Sequence, residues 1–361
     1  MSETAVTEAF RSSEPTIRVG ERTMSARELG LMSLSVRENT SGLYRCEATF
    51  VNWGAEHNGS RFAFFDKEVF DFGTHLSIDM GDGEAVGTVF VGKITALEGR
   101  FPRQSPPELL VLAEDRLQDL RMVRRTRSWE NTTINSLFSR IGGEHGLRLD
   151  MDFDGPTYEV LAQVNQSDLA FMRECVRRVD AELWVDSGML RVRKRASRGR
   201  EEISFSYGYR LLEFSVCADL AGQRTSTVMS GWDVAAKQAI FHEAKMDTMR
   251  TELGDDTGGG RILQNAFGDR TERIVHEVAM NNSEIREAAQ AGYRRMARRF
   301  VTGKGLVDGD GRLRVGIKVR LDGLGPFFDG PYYVSEVTHS FDTTNGYRSF
   351  FQVERPGIGG Y

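Results

Sequence analysis

The sequence predicts a mainly β protein with α+β insertions: two related β-barrel domains, a small α/β domain between them and a helical insertion. Three observations predict it. Glycine supplies 38 of 361 residues and proline only 8, against typical shares of ~7% and ~5%, so the glycines mark tight turns more than flexible linkers. Short runs with alternating β-branched and aromatic residues fill both ends of the chain. Helical periodicity is confined to three stretches between them.

Residues 1–17 read as a loose, polar arm. The first barrel is predicted over residues 18–115 (a sandwich suits the same spacing), with strand runs at Leu31–Val36, Leu43–Val51, Arg61–Phe65, His75–Met80, Val86–Ala96 and Leu109–Leu112. Residues 116–130 read as a connecting segment. Arg116, Arg121, Arg124, Arg125 and Arg127 mix there with Asp119, as a solvated charged face does.

The small α/β domain is predicted over residues 131–200. Ile134, Leu137, Phe138 and Ile141 recur at helical spacing after the cap candidates Thr132 and Thr133, and Gly142-Gly143 closes that helix. Leu169, Met172, Cys175, Val176 and Val179 mark a second helix that starts near Ser167 or Asp168. Glu182–Val185, Asp186-Ser187-Gly188 and Met189–Val192 spell a β-hairpin.

Residues 201–250 together with 311–356 are predicted to form the second barrel. The insertion at 251–310 begins as an exposed loop over 251–261. It continues as a helix with the stripe Ile285, Ala288, Ala289, Tyr293, Met296 and Phe300, capped by Ser283 and stopped by Gly303 and Gly305. Residues 357–361 read as a short flexible tail.

Residues 74–115 and 315–355 share one texture: strand, Gly/Asp loop, alternating strand, polar loop, closing strand. Val89-Phe90-Val91 and Ile94 in the first match Tyr332-Tyr333-Val334 and Val337 in the second. A period this long suits two related barrels better than a solenoid of short repeats.

Composition argues against several function classes. The net charge is −5 and the pI about 5.8, without the basic excess of a duplex-binding module. No apolar run approaches the ~20 residues of a membrane span, and the polar N-terminus lacks the pattern of a signal peptide. The expectation is a chain made in, and staying in, the cytoplasm of its producer. Cys46, Cys175 and Cys217 are far apart and odd in number, which argues for buried thiols over a disulfide framework.

Enzyme signatures fail on chemistry. Gly87–Lys93 fits the spacing of a phosphate-binding loop, but Ile94 stands where the magnesium-holding hydroxyl belongs, and the stretch reads as a strand. His242-Glu243 and His276-Glu277 open like a zinc motif, but Met246 and Met280 replace the second imidazole. Asp150, Asp152, Asp154 and Gly155 open like a calcium loop that lacks its bidentate glutamate. The six histidines, 57, 75, 145, 242, 276 and 339, are scattered. Trp53, Trp129, Trp184 and Trp232 sit in or beside apolar runs and read as core. No catalytic, cofactor-binding or metal-binding residue is singled out, no cofactor is expected, and the chain reads as a non-enzyme.

Four segments together resemble a known family. NTTINSLFSRIGGEHGLRLDMDF followed by QVNQSDLAFMRECVRRVDAELWVDSGMLRVRKR is similar to the middle domain of phage late control protein D and VgrG-like hub proteins. FSYGYRLLEFSV with VMSGWDVAAKQAI resembles the opening of their second barrel. The helix at 284–300 with FFDGPYYVSEVTHSFDTTNGYRSFFQVER resembles their closing segment. The likeness spans about residues 20–356.

The resemblance implies the baseplate hub of a contractile tail, in phages, tailocins or injection systems. Its two barrels would then be tube-forming. Three chains with two barrels each would present six similar units, matching a six-fold tail tube on one side and a three-fold spike on the other. The implied partners are a homotrimer, the tail tube protein, a separate spike protein and other baseplate or tube-initiator proteins, with no nucleic-acid sequence recognition. Unlike VgrG-like relatives, this sequence shows no β-helix after Arg355, and a spike on its own polypeptide is the expectation. The implied location is the baseplate of a particle. A cell-wall hydrolase of the tail tip and a carbohydrate-binding adhesin are the competing readings.

Overall fold

The computed structural model describes residues 14–56, 59–199, 201–233, 236–275 and 280–359. Most of the expected arm, His57, Arg200, His276 and the end of the expected tail lie outside the described residues.

The N-terminal part is built of strands β1 (Thr16–Val19), β2 (Arg22–Ser25), β3 (Leu31–Asn39), β4 (Arg45–Val51), β5 (Gly54–Glu56), β6 (Gly59–Arg61), β7 (His75–Met80), β8 (Gly87–Arg100) and β9 (Glu108–Glu114). Burial alternates along them as the sequence pattern requires: Leu34, Val36, Phe50, Ile78, Phe90 and Val111 point into one core. The expected strand at Arg61–Phe65 is a correction. Phe62 and Phe65 are exposed on a loop, and their apolar character serves an aromatic cluster instead of a pleat.

The middle part holds β10 (Arg124–Thr132), α1 (Ile134–Glu144), β11 (Arg148–Met151), β12 (Tyr158–Ser167), α2 (Asp168–Arg178), β13 (Ala181–Asp186) and β14 (Met189–Lys194). Thr133 caps α1 by accepting from the Ser136 amide at 3.2 Å, and Ser167 caps α2 from the Ala170 amide at 3.2 Å. The expected connecting segment ends earlier than residue 130. Residues 124–130 form most of β10, which pairs antiparallel with β12. Two forces hold it there: Trp129 stacks on Phe171 with centroids 5.2 Å apart, and Arg127 is neutralised by Glu144 and Asp168.

The C-terminal part comprises β15 (Glu202–Ser206), β16 (Leu211–Ala218), β17 (Ser226–Asp233), β18 (Gln238–Lys245), α3 (Arg250–Leu253), β19 (Thr257–Gly258), α4 (Gly259–Phe267), β20 (Thr271–Ile274), α5 (Asn282–Ala297), β21 (Val301–Asp308), β22 (Lys318–Asp322), β23 (Gly330–Asp342), β24 (Gly346–Arg355) and β25 (Gly357–Ile358).

One 13-stranded sheet runs in the order β16-β21-β24-β23-β3-β4-β9-β8-β7-β1-β2, with β22 on β23 and β15 on β22. Strands β17, β18 and β20 form a separate sheet. Helix α5 covers it through Ile285, Ala289 and Tyr293 against Met229, Ile240 and Ala244. The fold class is therefore mainly β with helical and α/β insertions.

Five expectations in this part change. Residues 226–245 leave the second large-sheet unit and join the core of α5. Residues 301–308 lie in the large sheet, where Gly303 and Gly305 are strand residues. A Cβ at either would strike the rings of Phe214 or Phe351, so glycine is needed for close packing and not to stop a helix. The expected loop 251–261 contains most of α3 and the start of α4, whose apolar residues are hidden among three glycines. The expected tail begins with Gly357 and Ile358 paired to Gly258 and Thr257. The cap of α5 is Asn281, not Ser283. Its side chain accepts from the Ser283 and Glu284 amides at 3.1 and 3.0 Å, and Glu284 answers by accepting from the Met280 amide.

Candidate assembly surface

The large sheet contains one five-stranded unit twice. Strands β3-β4-β9-β8-β7 and β16-β21-β24-β23-β22 follow one another in the same spatial order, every neighbour antiparallel. Register matches as well as order. Ile94 faces Ala113 where Val334 faces Val353, and Ala96 faces Leu112 where Glu336 faces Gln352. The residue skipped between them is Thr95 in one unit and Ser335 in the other. Each turns its hydroxyl onto a carbonyl of the opposite strand, Leu112 or Gln352. A second skipped position also coincides, Met32 between β3 and β4 and Leu212 between β16 and β21. Bulges re-aim strands at set places, so two shared bulges in one shared order mark a duplication that side-chain identity alone conceals.

The two units join within the chain where β3 pairs antiparallel with the second half of β23, from Glu336↔Asn39 to Asp342↔Ser33. Leu34, Val36, Val337 and Phe341 are buried along this joint. Polar groups are fixed inside it. Glu38 is only 1% exposed. It accepts from Arg314 Nε at 2.5 Å and from the Val315 amide at 3.3 Å, while Arg314 Nη1 donates to the Thr88 carbonyl at 2.6 Å. Gly87 and Gly311 meet backbone to backbone, with the Gly311 amide donating to the Ala85 carbonyl at 2.8 Å and no room for a Cβ on Gly87. Residues 309–317 are thus clamped onto the start of β8.

Charged residues of the middle part tie it to both units. Arg198 donates to Glu182 at 2.7 Å and to the Tyr44 hydroxyl at 3.0 Å, and Tyr333 donates to the same Glu182 at 2.5 Å. Burial pushes the Tyr44 phenol up to about 12. Burial also pushes the Asp115 carboxyl up to about 7, although it accepts from the Tyr44 and Leu117 amides. Arg298, at the end of α5, is clamped between Asp180 and Glu252. Such pairs are expensive to bury and expensive to break, which makes them orienting contacts more than sources of net stability.

The enzyme-like motifs separate in space. Gly87–Lys93 is strand β8. Asp150 is bound by Arg191 and Arg193. His145 sits 2.9 Å from Asp168, which also holds Arg127 and Gln163; no nucleophile is among those partners. His242 is in β18 and His75 in β7, and no described group of three histidine, cysteine or acidic side chains is placed to hold a metal. A cleft of about 560 Å³ is lined by Arg173, Glu174, Arg177, Asp180, Glu182 and Arg195, a set largely engaged in ion pairs and backbone contacts. Trp53 and Trp232 are 46% and 52% exposed, against the expectation that all four tryptophans are core. Trp53 meets Phe62 edge to face, and Phe62 meets Phe65 and Phe101.

A sequence model of the Alg8 N-terminal domain family matches residues 14–343. The chain belongs to that family. No curated protein matches it. Its Alg8 N-terminal domain fold is similar to the 43 kDa tail protein of prophage MuSo2 from Shewanella oneidensis, with a TM-score of 0.69 and 14% identity over 96% of this chain and 99% of that one. It is similar to the tail protein from Neisseria meningitidis MC58, with a TM-score of 0.65 and 12% identity over 96% and 97% of the two chains. It is also similar to Escherichia coli c3393, at TM-score 0.55 and 14% identity over 94% and 76%. That protein is described as a component of the type VI secretion system with structural similarity to the T4 bacteriophage tail proteins gp27 and gp5. At these identities the likeness is one of fold: the Alg8 N-terminal domain is folded like a tail protein.

Proposed function

We propose that this protein is a structural hub of the baseplate in a contractile phage tail or tail-like injection system. Three copies form a ring that adapts a six-fold tail tube to a three-fold spike. One observation carries the reading: the chain holds two five-stranded units matched in order, register and bulges, so three chains supply six similar units. The tail-protein fold supports it. Tube, spike and other baseplate proteins are its partners, and it is assembled in the producer's cytoplasm into the particle. It acts by shape and carries no reaction; the paired state of the charges in its clefts supports this.

Electron microscopy of purified particles tests the reading. Three copies at the hub are expected, and six copies or one overturn it. A turbidity assay on cell walls tests the hydrolase alternative. His242→Gln and His339→Gln variants that fold are expected to leave particle function unchanged. The adhesin alternative draws on the exposed Trp53 cluster, in which Trp53 and Phe62 meet at 76° and Phe62 and Phe101 at 88°; saturable binding of cell-surface sugars by the purified chain, lost in Trp53→Ala, would favour it.

A further inference from the structure

We infer that two open edges of the large sheet, that of β16 and that of β8 beyond Thr95, are the two halves of a joint between copies of this chain, in which residues 96–101 of one copy pair antiparallel with β16 of the next. The inference rests on the hub reading only for the number of copies.

The intrachain joint supplies the template. Beyond its bulge at Ser335, β23 leaves β22, and its freed edge receives β3. Strand β8 repeats the first half of this. Ile94 exchanges backbone hydrogen bonds with Gly73 and Thr74, as Val334 does with Gly316 and Ile317. Beyond Thr95, the β8 edge has only β9 beside it among the described residues. Strand β16 is the duplicate of β3, and it too has one neighbour, β21, along Glu213–Ala218. One sheet therefore ends in the strand that the template would donate and exposes the edge that the template would accept.

Carrying the joint's register across the duplication pairs Ala96 with Asp219, Leu97 with Ala218, Glu98 with Cys217, Gly99 with Val216, Arg100 with Ser215 and Phe101 with Phe214. Side-chain chemistry agrees at each step. Side chains on one face of the template joint are Val337, His339 and Phe341 against Glu38, Val36 and Leu34. Their counterparts are Leu97, Gly99 and Phe101 against Ala218, Val216 and Phe214, all apolar or glycine. The other face is Ala96, Glu98 and Arg100 against Asp219, Cys217 and Ser215, mostly polar. A one-residue slip would set apolar against polar throughout. Exposure marks the difference between a filled joint and an open one. Phe341 is 6% exposed and its counterpart Phe101 is 64% exposed. Pro102, which has no N–H to donate, follows the last pair. The ring of Phe65 lies against Gly99, on the side where the template carries the imidazole of His339.

The two ends differ, so the contact is head-to-tail and closes into a ring when the rotation allows. A strand edge of this length and alternation pairs through main-chain hydrogen bonds, with side chains fixing register.

Cysteine cross-linking of the full-length chain tests the pairing. Cys217 is exposed, whereas Cys46 and Cys175 are buried. Glu98→Cys places a thiol opposite Cys217 of the next copy. Copper phenanthroline with dissolved oxygen accepts the two electrons as the disulfide forms. The expected product is a disulfide-linked species that stops at three chains. Cross-linking of Arg100→Cys is expected to be at least about tenfold weaker, since Cα atoms beyond ~7 Å are not bridged. Cys217→Ser in the Glu98→Cys background should abolish the product. Val216→Lys, which puts a charge on the apolar face, should leave the far-UV spectrum unchanged and the chain monomeric. No disulfide with Glu98→Cys, or equal yields from Glu98→Cys and Arg100→Cys, overturns the pairing. A register-specific ladder that ends at another number keeps the pairing and overturns the trimeric hub. A three-chain mass by light scattering without the disulfide does the reverse.

Discussion

The Tyr347 hydroxyl lies 2.7 Å from Nδ1 of His339, inside the joint between the two duplicated units. Ser349 Oγ is 3.0 Å from the same nitrogen. The imidazole is fully buried, and burial holds its pKa down at about 4, with Glu38 opposing the shift and Arg314 adding to it. Between about pH 6.5 and 4 the unfolded chain binds a proton that the native chain refuses. Stability therefore falls as pH drops through that window, by roughly 3 kcal/mol for this residue. Urea midpoints followed from pH 7 to pH 4 check this. The wild type should lose more stability than His339→Gln across the window, and parallel curves would refute the assignment.

Gly305 has no space for a side chain because the Phe351 ring occupies it, with Phe214 beside it. Gly305→Ala should destabilise by about 1–3 kcal/mol, the usual cost of overpacking. Adding Phe351→Leu should recover part of the loss. A thermodynamic cycle over the four proteins measures the coupling, and additive effects would contradict the steric account.

Arg298 is buried between Asp180 and Glu252. Asp180→Asn keeps the shape and the positive φ of that position but removes one counter-charge. The expected loss is on the order of 2 kcal/mol, below the ~3–5 of an unpaired buried ion, because Glu252 remains. The double variant with Arg298→Met should be more stable than Asp180→Asn alone in thermal melts.

The single side chain of Asn281 satisfies two amides at the start of α5. Asn281→Ala should cost about 0.5–2 kcal/mol, whereas Ser283→Ala should change stability little. Equal effects in denaturant titrations would restore Ser283 as the cap.

Local chemistry was legible in the sequence where a residue's role is decided by its near neighbours. The apolar periods of α1, α2 and α5 and the alternation of β7 and β8 all reflect one face meeting one core. Strand β12 escaped because Tyr158, Leu161 and Gln163 are buried without regular alternation. Gly303 and Gly305 were misread because their reason is a ring on another strand. The repeat was visible in β7–β9 and β22–β24, while β3 and β16 share only Leu31/Leu211, Ser35/Ser215 and Val36/Val216, and β4 and β21 share no residue. Beyond these they share a skipped position between equivalent strands, a property of pairing that no single strand displays. The open edges of β8 and β16 were likewise invisible, since exposure of an apolar strand is known only once its neighbours are.

The joint between β3 and β23 has a kinetic consequence. Its two partners belong to one chain, so they meet at an effective concentration set by connectivity and not by how much protein the cell has made. In the proposed ring, half of the joints would form during folding and only the other half would be left to diffusional encounter. Dilution would then weaken every second contact while the rest hold, and intermediates would accumulate as paired units and never as single ones.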